Sequence, residues 1–313
     1  MSTPLNIPLT DIESVTNKFS EANFIGEGIL GKIYEGKLSV SGELIDVAVR
    51  RLDHSFWLQD IAFDKEISIL SSLKHDNLVS NVGFCNEKDE MVIINKREAR
   101  GSLIRHLNNS NLTWMKRLKI SIGVASVLNY LHNDLKHKSV VHHNVNSTSI
   151  LLDEKWEAKL SGFEYSMTIP AARDLDVAYE KLGIGTYKSD VFSFGIVLFE
   201  ILCGEKAFAG NDDGSFQAST ARFQYENGKL HEFVDPDLWK QMDQLSFKIF
   251  SETAYYCLKD PRSCPNISTV LKRLEKALEF QRNHENPEGS RIAVERIPSR
   301  LMSKEEPITR DKN

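Results

Sequence analysis

The sequence predicts an α+β protein with two lobes, a small strand-rich lobe followed by a larger helical one. The first third of the chain contains short segments rich in β-branched residues, and turn residues separate them. From Trp114 onward, apolar residues recur instead at the spacing of helix faces. This segregation of strands and helices along the chain indicates the α+β class.

The elements of the small lobe follow from the spacing of its apolar residues. Strands are predicted over residues 24–36 and 45–52, with a Ser-Gly turn at 41–42 between them, and over residues 91–95. Between Ile61 and Leu73 the apolar positions fit a helix better than a strand. The small lobe therefore combines several strands with one helix.

The larger lobe begins with a long helix after Trp114. Its apolar stripe extends over about five turns and consists of Leu118, Ile122, Ala125, Leu128 and Leu131. Two short strands and three further helices are predicted at 140–141, 150–152, 190–204, 246–257 and 267–280. The chain from residue 281 is polar and proline-containing, so we expect a disordered tail.

Composition excludes several classes of function. The net charge of −5 gives no support for a nucleic-acid or anionic-membrane surface. The four cysteines show neither a disulfide framework nor zinc spacing, which is typical of a reducing compartment. No apolar run approaches the length of a membrane span, and the N-terminus does not resemble a signal peptide. We therefore expect a soluble, cytoplasmic protein without direct membrane insertion.

A G-x-G-x-x-G motif, formed by Gly26, Gly28 and Gly31, lies between two strand-like runs. A dinucleotide-binding version should lead into a helix, whereas this chain continues into another strand. Glycines in a strand-turn-strand can close over phosphates, because they let the backbone approach closely. A simple hairpin turn explains the motif equally well when it is taken alone.

Later motifs resemble, in order and spacing, the signature set of protein kinases. They are Val47-Ala48-Val49-Arg50, Glu66, the run from His142 to Leu152, the run from Lys159 to Glu164, and the run from Lys188 to Leu198. The segments "EISILSSLKHDNLVSNVGFC", "LTWMKRLKISIGVASVLNYLH" and "KSDVFSFGIVLFEILCG" resemble plant receptor-like kinases, including their cytoplasmic members. The resemblance covers roughly residues 9–280.

The resemblance implies the two-lobed protein kinase fold. The expected organisation is an N-terminal extension at 1–18, a kinase-like N-lobe at 19–97, a C-lobe at 98–280 and a disordered tail at 281–313. Residues at nucleotide-binding positions of the family are Gly26, Gly28, Gly31, Ile33, Ala48, Arg50, Glu66, Asn95 and Leu151. His142, Phe163, Leu70 and Asp190 match the structural framework that joins the lobes and holds the catalytic loop.

The chemistry-bearing positions depart from the family. Arg50 stands at the position of the family's phosphate-binding lysine, and Asn144 stands at the position of the catalytic base. Asn146 stands at the position of the lysine two residues further on. Both metal-ligand positions have also changed, to Ser149 and Gly162, so we expect no intact Mg²⁺ site. An amide cannot act as a general base.

The activation segment departs from the family too. Its glutamate falls on Ala178 and the usual arginine partner on residues 264–267, so both halves of a buried ion pair are absent. Glu164 lies two residues after Gly162 and could replace a lost ligand. We expect its side chain to point away from the site.

The resemblance and the departures together imply a pseudokinase that acts as a scaffold, decoy or allosteric partner. Its expected partners are active kinases or receptor and immune complexes, which would bring it to the inner face of the plasma membrane. Weak, metal-independent ATP binding is expected, since the glycines and adenine-side residues persist. The alternatives are an atypical, low-activity serine/threonine kinase and, third, a nucleotide sensor without chemistry.

Overall fold

A computed structural model describes residues 5–28, 30–53, 59–135, 138–170, 186–204, 218–259 and 264–286. The strands of the small lobe are β1 (Leu5–Asn6), β2 (Phe24–Gly28), β3 (Gly31–Val40), β4 (Glu43–Leu52), β5 (Asn81–Glu87) and β6 (Glu90–Lys96). They form one sheet in the order β1-β5-β6-β4-β3-β2, in which only the β1–β5 pairing is parallel. The predicted turn at 41–42 joins β3 to β4, with Ser41 and Gly42 both at positive φ.

Two helices cover the opposite faces of this sheet. Helix α1 (Leu9–Val15) lies on one face, where Ile12 packs against Val47 and Val49. Helix α2 (Gln59–Ser72) lies on the other face, where Phe63 packs against Leu52 and Ile93. The expected N-terminal extension is therefore integrated into the small lobe from Leu5 onward.

The large lobe is built on helices α3 (Trp114–Asn129), α4 (Tyr187–Cys203), α5 (Ala218–Glu226), α6 (Pro236–Trp239), α7 (Gln244–Cys257) and α8 (Ile267–Glu285). The four long ones begin at residues whose side chains accept a backbone N–H, namely Thr113, Thr186, Asp243 and Asn266. Helix α4 buries most of its length, as its apolar sequence predicts. Among the described residues, no helix is long and apolar enough to cross a membrane.

Short strands flank the loops that lie between the lobes. They are β7 (Gly101–Ser102), β8 (Lys138–Val141), β9 (Ile150–Leu152), β10 (Ala158–Leu160) and β11 (Met167–Pro170). Strand β9 pairs with β7 and β10, and β8 pairs with β11. The loop from residue 142 to 149 and the segment from 161 to 166 are thereby held side by side beneath the small lobe.

The predicted boundary of the tail at residue 281 lies inside a helix. Helix α8 continues to Glu285, and Gln281 is fully buried. Its amide oxygen accepts the backbone N–H of Asp243, and its amide nitrogen donates to the carbonyl of Gln241. A polar side chain with buried partners thus extends the helix beyond its apolar stripe. The rest of the tail, from residue 287, lies outside the described residues.

Candidate functional site in the cleft between the lobes

Arg50 and Glu66, both at nucleotide-binding positions of the family, form a buried ion pair. Strand alternation turns Val47 and Val49 into the core beneath α1, so Ala48 and Arg50 face the opposite side. The guanidinium of Arg50 bonds the carboxylate of Glu66 on α2. Burial lowers the pKa of Arg50, but the charges and hydrogen bonds of Glu66 and Glu164 outweigh it, and the net pKa is raised. Burial raises the pKa of Glu66 against the opposing effect of Arg50.

Glu164 points into the site, so the expectation that its side chain faces away was wrong. One carboxylate oxygen lies 3.5 Å from Nη1 of Arg50, and the other accepts a hydrogen bond of 3.0 Å from Nδ2 of Asn144. Its side chain is only 5% exposed. The cause is a tight turn closed by a 3.1 Å bond from the N–H of Ser166 to the carbonyl of Phe163. Glu164 therefore connects a strand of the small lobe to the loop of the large lobe.

In the loop at 142–149, the side chains of Asn146 and Ser149 bond to Asn144 and to nearby backbone groups. The Asn146 side chain donates to Oδ1 of Asn144 at 2.7 Å and accepts the backbone N–H groups of Thr148 and Ser149. The hydroxyl of Ser149 lies 2.8 Å from the Asn144 carbonyl. The three altered positions of this loop are thus brought together and bonded to one another and to their own backbone.

Gly162 closes this cluster from the other side. Its φ of +84° is one that residues with a Cβ adopt at a cost. A Cβ at this position would lie 3.3 Å from Nδ2 of Asn144 and 3.4 Å from Cβ of Ser149. The base position and both metal-ligand positions therefore meet in one place, where no carboxylate stands at any of the three.

Asp190 fixes the backbone of the loop. Its carboxylate accepts the N–H groups of His142 and His143 at 2.7 and 2.8 Å, and it lies 2.9 Å from Nε2 of His132. Burial raises the pKa of Asp190, but the bond and charge of His132 and the other partners outweigh it and the pKa is lowered. His143 is held at a φ of +62°. The two N–H bonds that Asp190 accepts hold the loop in this strained conformation.

His142 and Phe163 stack within the framework that the sequence predicts. Their ring centroids lie 4.6 Å apart in an edge-to-face arrangement. Nε2 of His142 donates to the carbonyl of Ser161 at 3.0 Å, and its Nδ1 accepts the N–H of Asn144. Burial lowers the pKa of His142, which favours the neutral ring that this pattern of bonds requires.

The glycine motif forms the β2–β3 hairpin. Gly26 lies opposite Ile33, and Gly28 lies opposite Gly31. Leu30, which the sequence analysis did not single out, is 1% exposed and belongs to the apolar cluster of α2 and β4. The tip of the loop is therefore packed inward.

The adenine side of the cleft contains three of the positions that the family pattern assigns to nucleotide binding. Ala48 on β4 lies opposite Asn95 on β6, so both are on the same face of the sheet, and Oδ1 of Asn95 accepts a bond from Asn81. Leu151 on β9 is partly exposed below. At the mouth, Arg105 donates to the carbonyl of Ile25 at 3.3 Å and so adds a further contact between the lobes. No sequence motif marks Arg105.

The residues present do not fit a Mg²⁺ ion. The hydroxyl of Ser149 is engaged by backbone carbonyls, Gly162 has no side chain, and the Glu164 carboxylate is shared between an amide and a guanidinium. Within the described part of the chain, no three His, Cys, Asp or Glu side chains are grouped to hold a metal ion. The apolar residues on the adenine side of the cleft fit the family's nucleotide better than the residues on the phosphate side do.

The chain is similar to receptor-like protein kinases of Arabidopsis thaliana. The receptor-like protein kinase FERONIA of Arabidopsis thaliana is 37% identical over 300 residues, which are 89% of this chain and 33% of FERONIA. The receptor-like protein kinase ANXUR2 of the same plant is 36% identical over 302 residues, 90% of this chain and 34% of ANXUR2. The chain thus spans about a third of the length of these curated relatives.

The family model described as protein tyrosine and serine/threonine kinase matches residues 19–244. That range contains the glycine hairpin, the Arg50–Glu66 pair, the catalytic-loop positions and Asp190, on the two-lobed fold expected from the sequence. The chain belongs to the protein tyrosine and serine/threonine kinase family.

Proposed function

We propose that this chain is a pseudokinase domain that regulates other proteins without transferring phosphate. The observation that carries the proposal is the composition of the catalytic cluster. An amide, a hydroxyl and a bare glycine occupy the base and metal-ligand positions, as Asn144, Ser149 and Gly162. An amide does not take up a proton near neutral pH, and Mg²⁺ prefers carboxylate ligands.

The hydrogen bonding of the cluster supports the same conclusion. In a site poised for phosphoryl transfer, polar groups are directed at the substrate and the metal. Here the Asn146 and Ser149 side chains are bonded to neighbouring backbone groups, and Asn144 is bonded to Glu164. These groups therefore stabilise the protein's own loop.

The partners follow from the similarity to receptor-like kinases. We infer binding to active kinases or to receptor and immune complexes, on the cytoplasmic side and at the inner face of the plasma membrane through those partners. ATP binding is weak and metal-independent in this proposal. The apolar adenine side favours the base, whereas the site offers Mg²⁺ no free carboxylate.

A phosphotransfer assay tests the loss of catalysis. The protein is incubated with radiolabelled ATP and either Mg²⁺ or Mn²⁺, beside an Asn144→Ala variant. We expect the label incorporated by the two proteins to be equal, because the residue at the base position contributes nothing to the rate. Reproducible incorporation that is abolished in Arg50→Ala would overturn the proposal.

An atypical, low-activity serine/threonine kinase is the second candidate, and the orientation of Glu164 favours it. This carboxylate is the one acidic side chain bonded directly to the base position among the described residues. If it held a metal, activity would depend on Mn²⁺ or Mg²⁺ and would disappear in Glu164→Gln. The same assay separates this candidate from the first.

Binding experiments test the partner class. The purified protein is mixed with the kinase domain of a receptor-like kinase that autophosphorylates, and complex formation is followed by co-precipitation. We expect equal binding by the unmodified protein and by Asn144→Ala, since binding does not require catalysis. Phe223→Ser removes an exposed apolar side chain of α5 and serves as a surface variant. Failure to bind any member of a panel of such kinases would contradict the scaffold role.

A further inference from the structure

Glu164 occupies a position that determines what the cleft can bind. Its carboxylate is buried between Arg50 of β4 and Asn144 of the loop below, at 3.5 and 3.0 Å. Arg50 is also bonded to Glu66, so one guanidinium is shared by two carboxylates. With both carboxylates ionised, this group of three side chains has a formal charge of −1.

We propose that Glu164 competes with nucleotide phosphates for Arg50, so that the cleft prefers a nucleoside without phosphates to a nucleoside triphosphate. The inference rests on the proposed function, because it takes the cleft as a binding site without catalysis. A triphosphate brings several negative charges to the side of the cleft where Arg50 lies. That side already holds two carboxylates around one guanidinium in a poorly hydrated place, where electrostatic effects are strong.

The opposite end of the cleft imposes no such penalty. Ile33, Ala48 and Leu151 present apolar, partly exposed surface at the positions that the family uses for adenine. An uncharged nucleoside would contact these residues without reaching Arg50. The two ends therefore have opposite preferences, and the discrimination between ligands falls on Glu164.

A role for Glu164 as a metal ligand is less compatible with its contacts. One of its oxygens faces a guanidinium, which repels a dication, and the other is bonded to an amide. The two roles predict opposite effects of removing its charge. Loss of a competitor tightens ATP binding, whereas loss of a metal ligand weakens ATP binding in the presence of Mg²⁺.

The experiment measures the affinities of the full chain for ATP and for adenosine by calorimetric titration, in EDTA and in excess Mg²⁺. The variant Glu164→Gln keeps the shape and an oxygen that can accept the bond from Asn144. We expect the dissociation constant of Glu164→Gln for ATP in EDTA to fall by about tenfold or more, since this variant removes the negative charge beside Arg50. Its affinity for adenosine stays within about twofold of the unmodified protein.

Glu90→Gln is the matched control. Glu90 bonds Arg51, the next residue on β4, at 2.7 Å in a more exposed place. The control makes the same chemical change one position away from Arg50, and we expect it to leave both affinities unchanged. Glu164→Asp shortens the side chain but keeps its charge, so we expect its dissociation constant for ATP to stay closer to that of the unmodified protein than that of Glu164→Gln.

The outcomes are decisive in either direction. ATP binding that is unchanged in Glu164→Gln overturns the inference, as does weaker ATP binding by Glu164→Gln in Mg²⁺. An unmodified protein that binds no ATP, beside a Glu164→Gln variant that does, supports it. Phosphotransfer by the unmodified protein would contradict the proposed function and is measured separately, so the two failures are distinguishable.

Discussion

The Nδ2 atom of Asn144 donates a hydrogen bond of 3.0 Å to the carboxylate of Glu164. The residue at the catalytic-base position is therefore the partner of a buried acid. An aspartate, which active relatives carry at this position, would place two carboxylates in contact at that distance. The amide of Asn144 and the inward orientation of Glu164 are therefore mutually compatible.

Asn144→Asp is expected to destabilise the protein and to restore no phosphotransfer. Two carboxylates in contact share a proton, which raises a folded-state pKa above its unfolded value. The stability that the shared proton contributes is fully present below pH 4 and is lost as the pH rises. The free energy of unfolding of the variant should therefore fall by about 1–3 kcal/mol at pH 8 and by less at pH 5. Urea denaturation at both pH values measures this difference.

The double variant Asn144→Asp with Glu164→Gln is the control for that prediction. It exchanges the acid and the amide and so preserves one hydrogen bond across the contact. We expect it to recover most of the lost stability, because neighbouring substitutions of this kind are not additive. An Asn144→Asp protein that is as stable as the unmodified one at pH 8 would show that the contact is unimportant.

Gly162→Asp is expected to cost stability without creating a metal site. The positive φ alone disfavours a side chain by about 1–2 kcal/mol, and the new Cβ would crowd Asn144 and Ser149. The added carboxylate would also lie near Glu164. Thermal unfolding with and without Mg²⁺ measures both effects, and we expect no Mg²⁺-dependent gain.

Gly42→Ala and Gly162→Ala separate the cost of a side chain at positive φ from the cost of crowding by the new Cβ. Gly42 also has a positive φ, of +88°, but a Cβ there would meet no atom within 4 Å. Its substitution therefore reports the backbone cost alone, and we expect Gly162→Ala to be more destabilising than Gly42→Ala. A Gly162→Asp protein that gains stability in Mg²⁺ would contradict the expectation that this substitution creates no metal site.

The family motifs were enough to predict which positions meet. The Arg50–Glu66 pair and the stack of His142 on Phe163 lie where the motif spacing implies. The direction of Glu164 was not predictable in this way, because it depends on a turn and on the positive φ of Gly162. A motif specifies residue types at given spacings and does not specify the dihedral angles between them.

Contacts between segments that are distant in the sequence are a second feature that the motifs do not predict. Leu30 stands at a variable position of the glycine motif, and Arg105 lies in a family-like segment that assigns it no role. The contacts of both residues are with residues far away in the sequence. The end of α8 was misplaced for a related reason. Gln281 interrupts the apolar pattern, but its amide is satisfied by the backbone of a different helix and of the segment before it.

Arg50→Ala is expected to destabilise the protein strongly at neutral pH. It leaves Glu66 and Glu164 buried without their shared cation, and breaking such a group costs about 3–5 kcal/mol. The pKa of Glu66 is already raised, and without Arg50 it rises further. The deficit should therefore shrink as the pH falls from 8 to 5 and the Glu66 carboxyl takes up a proton. Chemical denaturation across that range measures the slope.

Arg51→Ala provides the comparison for Arg50→Ala. It removes a neighbouring arginine of β4 whose partner, Glu90, is more exposed. Surface pairs contribute about 0–1 kcal/mol, so we expect a small loss with little dependence on pH. Equal losses and equal slopes for the two variants would refute the buried, shared role of Arg50.

Asp190→Asn is expected to release the backbone of the catalytic loop. The carboxylate accepts the N–H groups of both His142 and His143, whereas an amide offers one acceptor and turns its own donors toward an N–H. We expect a loss of about 3–5 kcal/mol at pH 7. Because the pKa of Asp190 is lowered in the folded protein, its contribution is present above pH 4 and is lost as the pH falls further.

The dependence on pH distinguishes Asp190 from Arg50. The deficit of Asp190→Asn should be nearly constant between pH 5 and 8, where the deficit of Arg50→Ala changes. Asp237→Asn makes the same substitution on an exposed helix and should leave the denaturation midpoint unchanged. Increased amide hydrogen exchange confined to residues 142–149 would place the effect in the loop, since the strained φ of His143 is maintained by this carboxylate. Uniform exchange throughout the large lobe would show instead that Asp190 supports the core of the lobe and has no specific role in the loop.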